Sequence, residues 1–151
     1  MRLRTATVIV MTLLATLVVR AQAPVRQAAG EPQVVWYFYT VKWGFQAEFL
    51  DLFQRNHYPI LKAREKAGGY LSVRTFVPEF HGDGRADWTV AVELVVPPNP
   101  PTTPTDEDII AKLYPNRPKF ELEERRRFEI LAAHWDVPLN RLDLDTRKPS
   151  R

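Results

Sequence analysis

The sequence predicts an α+β domain whose elements follow the order β-α-β-β-α-β. Three observations lead to this prediction. A β-branched and aromatic strand pattern at residues 34–43 precedes the longest helical pattern in the chain, which stops at Gly68 and Gly69. Two further strand patterns flank a short glycine-containing turn, as in an antiparallel hairpin. A second helical region and a short final strand complete the order.

The first strand, residues 34–43, has no charged side chain on either face before Lys42. Trp36 and Phe38 point to one face, while Tyr37 and Tyr39 point to the other. A strand with one solvated face would alternate apolar and polar residues, so this strand is predicted to be covered on both sides. Helices of the same chain supply one cover, and the other face requires a second one.

The first helix carries its apolar residues on one stripe. Pro59 lacks a backbone donor and clashes one turn back, so the helix is predicted to kink near residues 55–57 or to end and restart there. The stripe consists of Phe45, Phe49, Leu52, Phe53, Asn56 and Ile60.

The hairpin comprises strands at residues 70–80 and 88–96, joined by a turn at 81–87. In its first strand Tyr70, Ser72, Arg74 and Phe76 share a face. A proline-rich excursion at 97–105 follows, and it is longer than an average connection.

The second helical region is predicted in two pieces. Thr105 followed by three acidic residues is a good helix start, and Pro115 ends that helix after Tyr114. Asn116 and Pro118 start another helix. Its predicted inner face is formed by Phe120, Phe128, Leu131, Ala132 and Trp135, and its charged run 121–127 is predicted to face water, with i, i+4 pairs Glu121–Arg125 and Glu123–Arg127. A last strand is predicted within residues 137–144.

The N-terminus is typical of a signal peptide. Arg2 and Arg4 precede an apolar run at 6–19, which is short of the roughly 20 residues that span a membrane. Cleavage is expected after Ala21, because Pro24 disfavours the alternative cut after Ala23. The remaining organisation is a flexible leader at 22–33, a domain at 34–144 and a polar tail at 145–151. The protein is therefore expected to be exported, periplasmic or extracellular, with no membrane attachment after cleavage.

Charge and cysteine content exclude several classes. Loss of Arg2, Arg4 and Arg20 from the 21 basic residues leaves the mature chain as many basic as acidic side chains, namely 18. Nucleic-acid binding relies on excess basic charge, so no nucleic-acid partner is expected. The chain has no cysteine, which excludes disulfides and a lipoprotein anchor.

The element order is the split βαβ unit of a ferredoxin-like fold, with an antiparallel sheet and both helices on one face. The bare face would then carry first-strand aromatics, which favours a homodimer packed sheet against sheet. In this order, and in the segment His57-Tyr58-Pro59-Ile60, residues 34–144 resemble the dimeric α+β barrel superfamily, which includes EthD-like and antibiotic-biosynthesis-monooxygenase-like proteins. The segment is similar to the H-x-P-(L/I) motif of EthD-like chains. The long proline loop and the split second helix depart from the compact family pattern.

His57 is the candidate catalytic residue. It lies two residues before Pro59, where the helix ladder is broken, and its titration range suits a proton carrier. The alternative is a capping or packing histidine that bonds a carbonyl freed at the kink.

A candidate ligand-binding set consists of Trp36, Phe38, Tyr70, Arg74 and Trp88. These residues are predicted to line one mostly apolar cavity with few polar groups. Core or dimer packing is the alternative role for most of the aromatics, and a one-residue slip in register would exchange the faces.

The other histidines favour structural roles. His81 lies with Asp83 and Asp87 in a composition typical of turns, and His134 is predicted to close the last helix. The histidine spacing matches no zinc site, and no cofactor motif is present, so neither metal nor cofactor is expected.

Two functional hypotheses follow. In the first, an exported barrel binds a small hydrophobic molecule between helices and sheet, with Arg74 or Tyr70 orienting it. An extended version of this hypothesis adds a reaction on the bound molecule, with His57 as acid or base. In the second, the domain is a non-catalytic dimeric interaction module. Whether the protein is an enzyme is left open.

Overall fold

A computed structural model of the chain describes residues 30–79 and 88–146. Four strands and four α-helices lie in this part, and a π-helical segment at Phe53–His57 joins the first two helices. The elements are β1 (Gln33–Val41), α1 (Gln46–Leu52), the π-helical segment, α2 (Tyr58–Lys66), β2 (Ser72–Phe76), β3 (Val90–Val96), α3 (Asp106–Leu113), α4 (Arg117–Glu129) and β4 (Leu131–Leu139).

The four strands form one antiparallel sheet in the order β2-β3-β1-β4. This order, with the helices inserted after β1 and β3, confirms the predicted ferredoxin-like α+β class. The register places Phe38 opposite Ala91 on β3 and Trp135 on β4. Because side chains alternate along a strand, this register fixes which residues share each face of the sheet.

The core lies between the helices and one face of the sheet, which we call the helix side. Tyr39 and Val41 of β1 are buried there, so Tyr37 and Val35 share that face and pack against the same core. The buried residues of this core are Tyr39, Val41, Phe49, Leu52, Phe53, Leu61, Val73, Val90, Val92, Leu94 and Ile130. The opposite face, which we call the open face, carries Trp36 and Phe38.

The first helix is interrupted where the sequence predicts it. The π-helical segment ends at His57, and the backbone N–H of Tyr58 donates to Phe53 O. Pro59 has no N–H for the carbonyl of Arg55 one turn earlier. The hydroxyl of Tyr114 takes that role: its oxygen lies 2.9 Å from Arg55 O and 2.7 Å from Asn56 O.

The start of α3 also follows the sequence. The Thr105 side chain accepts from the N–H of Asp108, and the Asp108 carboxylate accepts from the N–H of Thr105, which completes a capping box. In α4 the Asn116 side chain accepts from Lys119 N. Both caps were predicted from residue type alone.

The end of α4 and the last strand were predicted wrongly. The helix stops at Glu129, and Leu131, Ala132 and Trp135 belong to β4 rather than to a helix face. The last strand is therefore Leu131–Leu139 and not a segment within 137–144. Contacts distant in sequence end the helix, since Lys42 Nζ donates to Glu129 O at 2.6 Å and Lys42 N donates to Ile130 O at 2.9 Å.

Several predictions fall outside the described residues. These are the signal peptide at 1–21, nearly all of the leader, the turn that contains His81, Asp83 and Asp87, and the last residues of the tail. Within residues 30–79 and 88–146, no helix is both long and apolar enough to span a bilayer.

Candidate functional site

The sheet separates the residues that were predicted to line one cavity. Trp36 and Phe38 lie on the open face, and Trp88 joins them there with its ring 5.8 Å from that of Phe38. Arg74 shares this face, because its neighbour Val73 is buried on the helix side. Tyr70 instead packs against the helix-side core. The five residues therefore do not line a common cavity within one protomer.

The open face carries a continuous set of aromatic rings. The Trp36 ring stacks on Phe38 at 5.8 Å between centroids and lies 5.1 Å from the ring of Phe76. Phe38 also stacks on Trp135 of β4 at 5.4 Å. We call Trp36, Phe38, Phe76, Trp88 and Trp135 the aromatic face. On the same open face, Arg74 Nη1 lies 3.5 Å from Glu93 Oε1.

His57 ends the π-helical segment and turns toward the interior. Its ring lies 5.2 Å from the ring of core residue Phe53, and its Nδ1 lies 3.9 Å from Glu124 Oε2. Burial, with smaller contributions from Arg127 and His134, lowers the pKa of His57 to about 3. The Glu124 carboxylate does not offset this effect, because Arg127 already binds it with two hydrogen bonds.

A neutral His57 changes the chemistry that the site supports. At neutral pH its imidazole offers one hydrogen-bond donor and one acceptor, and the protonated imidazolium that would act as a general acid is not populated. The capping alternative assigned it a carbonyl freed at the kink, but the Arg55 and Asn56 carbonyls lie 2.9 and 2.7 Å from the Tyr114 hydroxyl oxygen and share its single proton. His57 is thus a neutral imidazole beside the core, with the Glu124 carboxylate 3.9 Å from its Nδ1.

Arg127 corrects the prediction that the α4 arginines face water. Its side chain is 1% exposed, and it pairs with Glu124, not with Glu123. Arg127 Nε and Nη2 donate to the two Glu124 oxygens at 3.0 and 2.7 Å. Its guanidinium carbon lies 6.0 Å from the Phe53 ring centre and 4.5 Å from that of Phe128. The third nitrogen, Nη1, is buried without a hydrogen-bond partner.

His134 corrects a second prediction, since it lies in β4 and does not close a helix. It faces the helix side opposite Tyr39, and the two rings stack at 4.3 Å with an angle of 4°. Its Nδ1 lies 2.9 Å from Phe38 O, and its Nε2 lies 3.3 Å from Asp136 Oδ1. The alternation Trp135, Val137, Leu139 was the sequence signal for this strand, and the helical spacing before it obscured that signal.

Three tyrosines border the same region. Burial raises the pKa of Tyr37 to about 12, with further contributions from Tyr70, Asp136 and Asp106. Burial likewise raises the pKa of Tyr39 and of Tyr70 above the ordinary value of 10.0. All three hydroxyls therefore stay protonated across the physiological range and are able to donate hydrogen bonds.

We call Tyr37, Tyr39, His57, Arg127 and His134 the helix-side cluster. Its members come from β1, the π-helical segment, α4 and β4, so the site exists only in the folded sheet. It combines neutral donors and acceptors with a single guanidinium, a composition suited to orienting a ligand. In the described ranges, no group of three histidine or carboxylate side chains is arranged to hold a metal ion.

Two surface clefts lie away from this cluster. One, of about 220 Å³, is lined by residues around the helix interruption, including Asn56, Tyr114 and Glu123. The other, of about 440 Å³, lies between α2 and α3 and includes Lys66, Ile109 and Lys112. Neither cleft is lined by His57 or by the residues predicted to bind ligand.

No protein-family model matches the chain, and no curated protein matches it significantly. Solved structures give weak similarity. A NIPSNAP family protein from Agrobacterium tumefaciens is 12% identical, with a TM-score of 0.46, over 80% of this chain and 94% of that one. A dimeric ferredoxin-like protein from an uncultured marine organism is 8% identical, with a TM-score of 0.47, over 79% and 94%.

An antibiotic biosynthesis monooxygenase-like protein from Bacteroides thetaiotaomicron is 9% identical, with a TM-score of 0.43, over 79% of this chain and 97% of that one. With TM-scores below 0.5, the three similarities carry no conclusion about this chain, and the ferredoxin-like fold rests on the strand order itself.

Proposed function

We propose that the domain binds a small, largely apolar molecule at the helix-side cluster. The observation that carries this proposal is the position of His57, whose ring lies 5.2 Å from the ring of core residue Phe53 and whose Nδ1 lies 3.9 Å from Glu124 Oε2. Burying a polar group beside a hydrophobic core costs free energy unless the group is hydrogen-bonded, and such groups are often found at functional sites. Because His57 caps no freed carbonyl at the kink, a ligand is the use that we assign to it.

The surroundings of the cluster specify the kind of ligand. Tyr37, Tyr39 and Phe53 supply mainly aromatic walls, while His57 and His134 supply few polar contacts, which is the usual make-up of a small-molecule site. His134 and Asp136 are exposed at the sheet margin, and we propose this side of β4 as the entry for the ligand.

His57→Ala tests the proposal. The variant is expected to remain folded, with a change in unfolding free energy below about 1 kcal/mol, and to lose binding of any apolar compound found by screening the wild type. Gln54→Ala, at an exposed position of the same π-helical segment, is the matched control and should keep binding. Thermal melting and a binding titration measure both properties. Unchanged binding by the folded His57→Ala protein would contradict the proposal.

We further propose that a second copy of the chain covers the aromatic face. Five aromatic rings on one sheet face exceed the scattered apolar residues usual on a monomer surface. A twofold dimer brings this face against itself, so no other partner is required. The assembly would be a homodimer that buries Trp36 and Phe38 at its centre.

Export is the proposed localisation. It rests on the basic start, the short apolar run and the small residue at position 21 of the sequence. Cleavage after that residue would leave a neutral mature chain in the periplasm or outside the cell.

The second candidate function is a non-catalytic dimeric interaction module. The dense core favours it, since Tyr39, Phe49 and Phe53 are at most 3% exposed and pack ring against ring. Under this hypothesis His57→Ala would change stability without changing the binding of any small molecule. The same mutant therefore separates the two functions.

A further inference from the structure

Arg127 holds the one buried side-chain nitrogen or oxygen of residues 30–79 and 88–146 that has no hydrogen-bond partner, its Nη1. Leaving the N–H groups of one guanidinium nitrogen buried without an acceptor is unfavourable, and most buried polar groups in native proteins are hydrogen-bonded. The bidentate contact with Glu124 fixes Nε and Nη2. The planar guanidinium then holds Nη1 in a set direction on the side away from that contact.

We propose that Arg127 Nη1 donates a hydrogen bond to a carbonyl oxygen of the bound molecule, which makes the ligand an uncharged apolar carbonyl compound. This inference rests on the proposed function and names the class of ligand for that site. The ring of Phe53 lies between Arg127 and the other residues of the proposed site. Its centre is 6.0 Å from the Arg127 guanidinium carbon, 5.2 Å from the His57 ring and 5.8 Å from the Tyr39 ring.

Charge balance selects a carbonyl over a carboxylate. Glu124 already neutralises Arg127, and its carboxylate also lies 3.9 Å from His57 Nδ1. A carboxylate ligand would bring a second negative charge into a site where Glu124 already neutralises Arg127. Burying a negative charge without a positively charged partner is unfavourable. A carbonyl oxygen accepts the hydrogen bond from Nη1 and adds no net charge.

The test uses three probes of similar size. Acetophenone carries the carbonyl, ethylbenzene lacks an acceptor, and benzoate carries a negative charge. Isothermal titration calorimetry on the wild-type chain should show acetophenone binding about 10- to 100-fold more tightly than ethylbenzene, as expected for a hydrogen bond to a charged donor. Benzoate should bind more weakly than acetophenone.

Arg127→Lys keeps the positive charge beside Glu124 but removes Nη1. In this variant the preference for acetophenone over ethylbenzene should fall to near unity. Arg126→Lys is the matched control: Arg126 is the neighbouring arginine, its side chain contacts Glu48 on α1, and the preference should persist. The wild-type comparison of probes needs no variant, so it stands even if Arg127→Lys does not fold.

Equal binding of acetophenone and ethylbenzene by the wild type would overturn the inference while leaving the proposed function intact. Tightest binding of benzoate would overturn it in favour of an anionic ligand. If Arg127→Lys folds and keeps the preference, Arg127 is not the donor. If the wild type binds none of the three probes, the proposed function fails, and this inference fails with it.

Discussion

Tyr114→Phe should weaken the fold through the interruption of the first helix. The Tyr114 hydroxyl serves the carbonyls of Arg55 and Asn56 beside Pro59, and burial raises its pKa to about 12, so it remains a donor at any ordinary assay pH. Phenylalanine keeps the ring, which stacks on Phe120 at 4.4 Å. The substitution therefore removes one hydroxyl and no ring packing.

The expected loss of unfolding free energy is about 1–2 kcal/mol. A buried acceptor left unsatisfied costs about 1–3 kcal/mol, and the more exposed of the two carbonyls, that of Arg55, regains water. For a domain of this size the melting temperature should fall by about 3–8 °C. Urea unfolding followed by tryptophan fluorescence measures the loss, and its m-value should not change.

Pro59→Ala supplies the decisive comparison. Alanine restores a backbone N–H that is able to donate to Arg55 O, so Tyr114→Phe should cost about half as much in this background. A double-mutant cycle should then give a coupling of about 0.5–1 kcal/mol. The same loss in both backgrounds, or a loss below about 0.3 kcal/mol in the wild type, would refute the role assigned to the hydroxyl.

Three further predictions concern assembly, processing and pH. Light scattering should give about 30 kDa for the mature protein, which is the mass of a dimer of a roughly 130-residue chain. Phe38→Asp should dissociate or unfold the dimer, while Leu122→Asp, at an exposed position of α4, should do neither. A monomeric wild type would contradict this prediction. N-terminal sequencing of the exported protein should begin at Gln22, and a start at residue 1 or 24 would contradict it. Hydrogen bonds from Thr105 lower the pKa of the Asp108 carboxyl below its ordinary 3.8. Asp108→Asn should therefore reduce the unfolding free energy above about pH 4, and the difference from the wild type should disappear as the pH falls through the folded-state pKa. A difference that does not depend on pH would exclude this linkage.

Elements with local signals were predictable from the sequence. The apolar faces of β1, the kink before Pro59 and the caps at Thr105 and Asn116 depend on residues within a few positions of one another. Such signals keep their meaning whatever the rest of the chain does. They were sufficient to establish the order of elements and therefore the fold class.

The α4–β4 junction was not predictable in the same way. Leu131, Ala132 and Trp135 have helical spacing, but the backbone there pairs with β1, and Lys42, directly after β1, binds the last helical carbonyl. These partners are remote in sequence, and tertiary pairing overrides local propensity. A bulge between Thr40 and Val41 further shifts the register at the start of β4.

Part of the candidate site depended on that junction, and the sequence analysis proposed a chemical role for His57 alone among the members of the cluster. His57 follows from its place beside Pro59, whereas His134 reaches the cluster only through β4. Arg127 belongs to a charged run that is typical of a solvated surface. Its burial depends on a pairing with Glu124, at i, i−3, that the i, i+4 pattern did not favour.

The π-helical segment amounts to one residue inserted into an otherwise continuous α-helix. The i→i+5 turn absorbs that residue, so the helix after it keeps the register of a helix that lacks it. Removing Gln54 would therefore restore a plain helix and leave buried Ile60 and Leu61 facing the core, whereas keeping all the residues in α-helical geometry would rotate α2 by about 100° relative to α1. Exposed Gln54 should thus be not only exchangeable for another amino acid but also dispensable as a position in the chain.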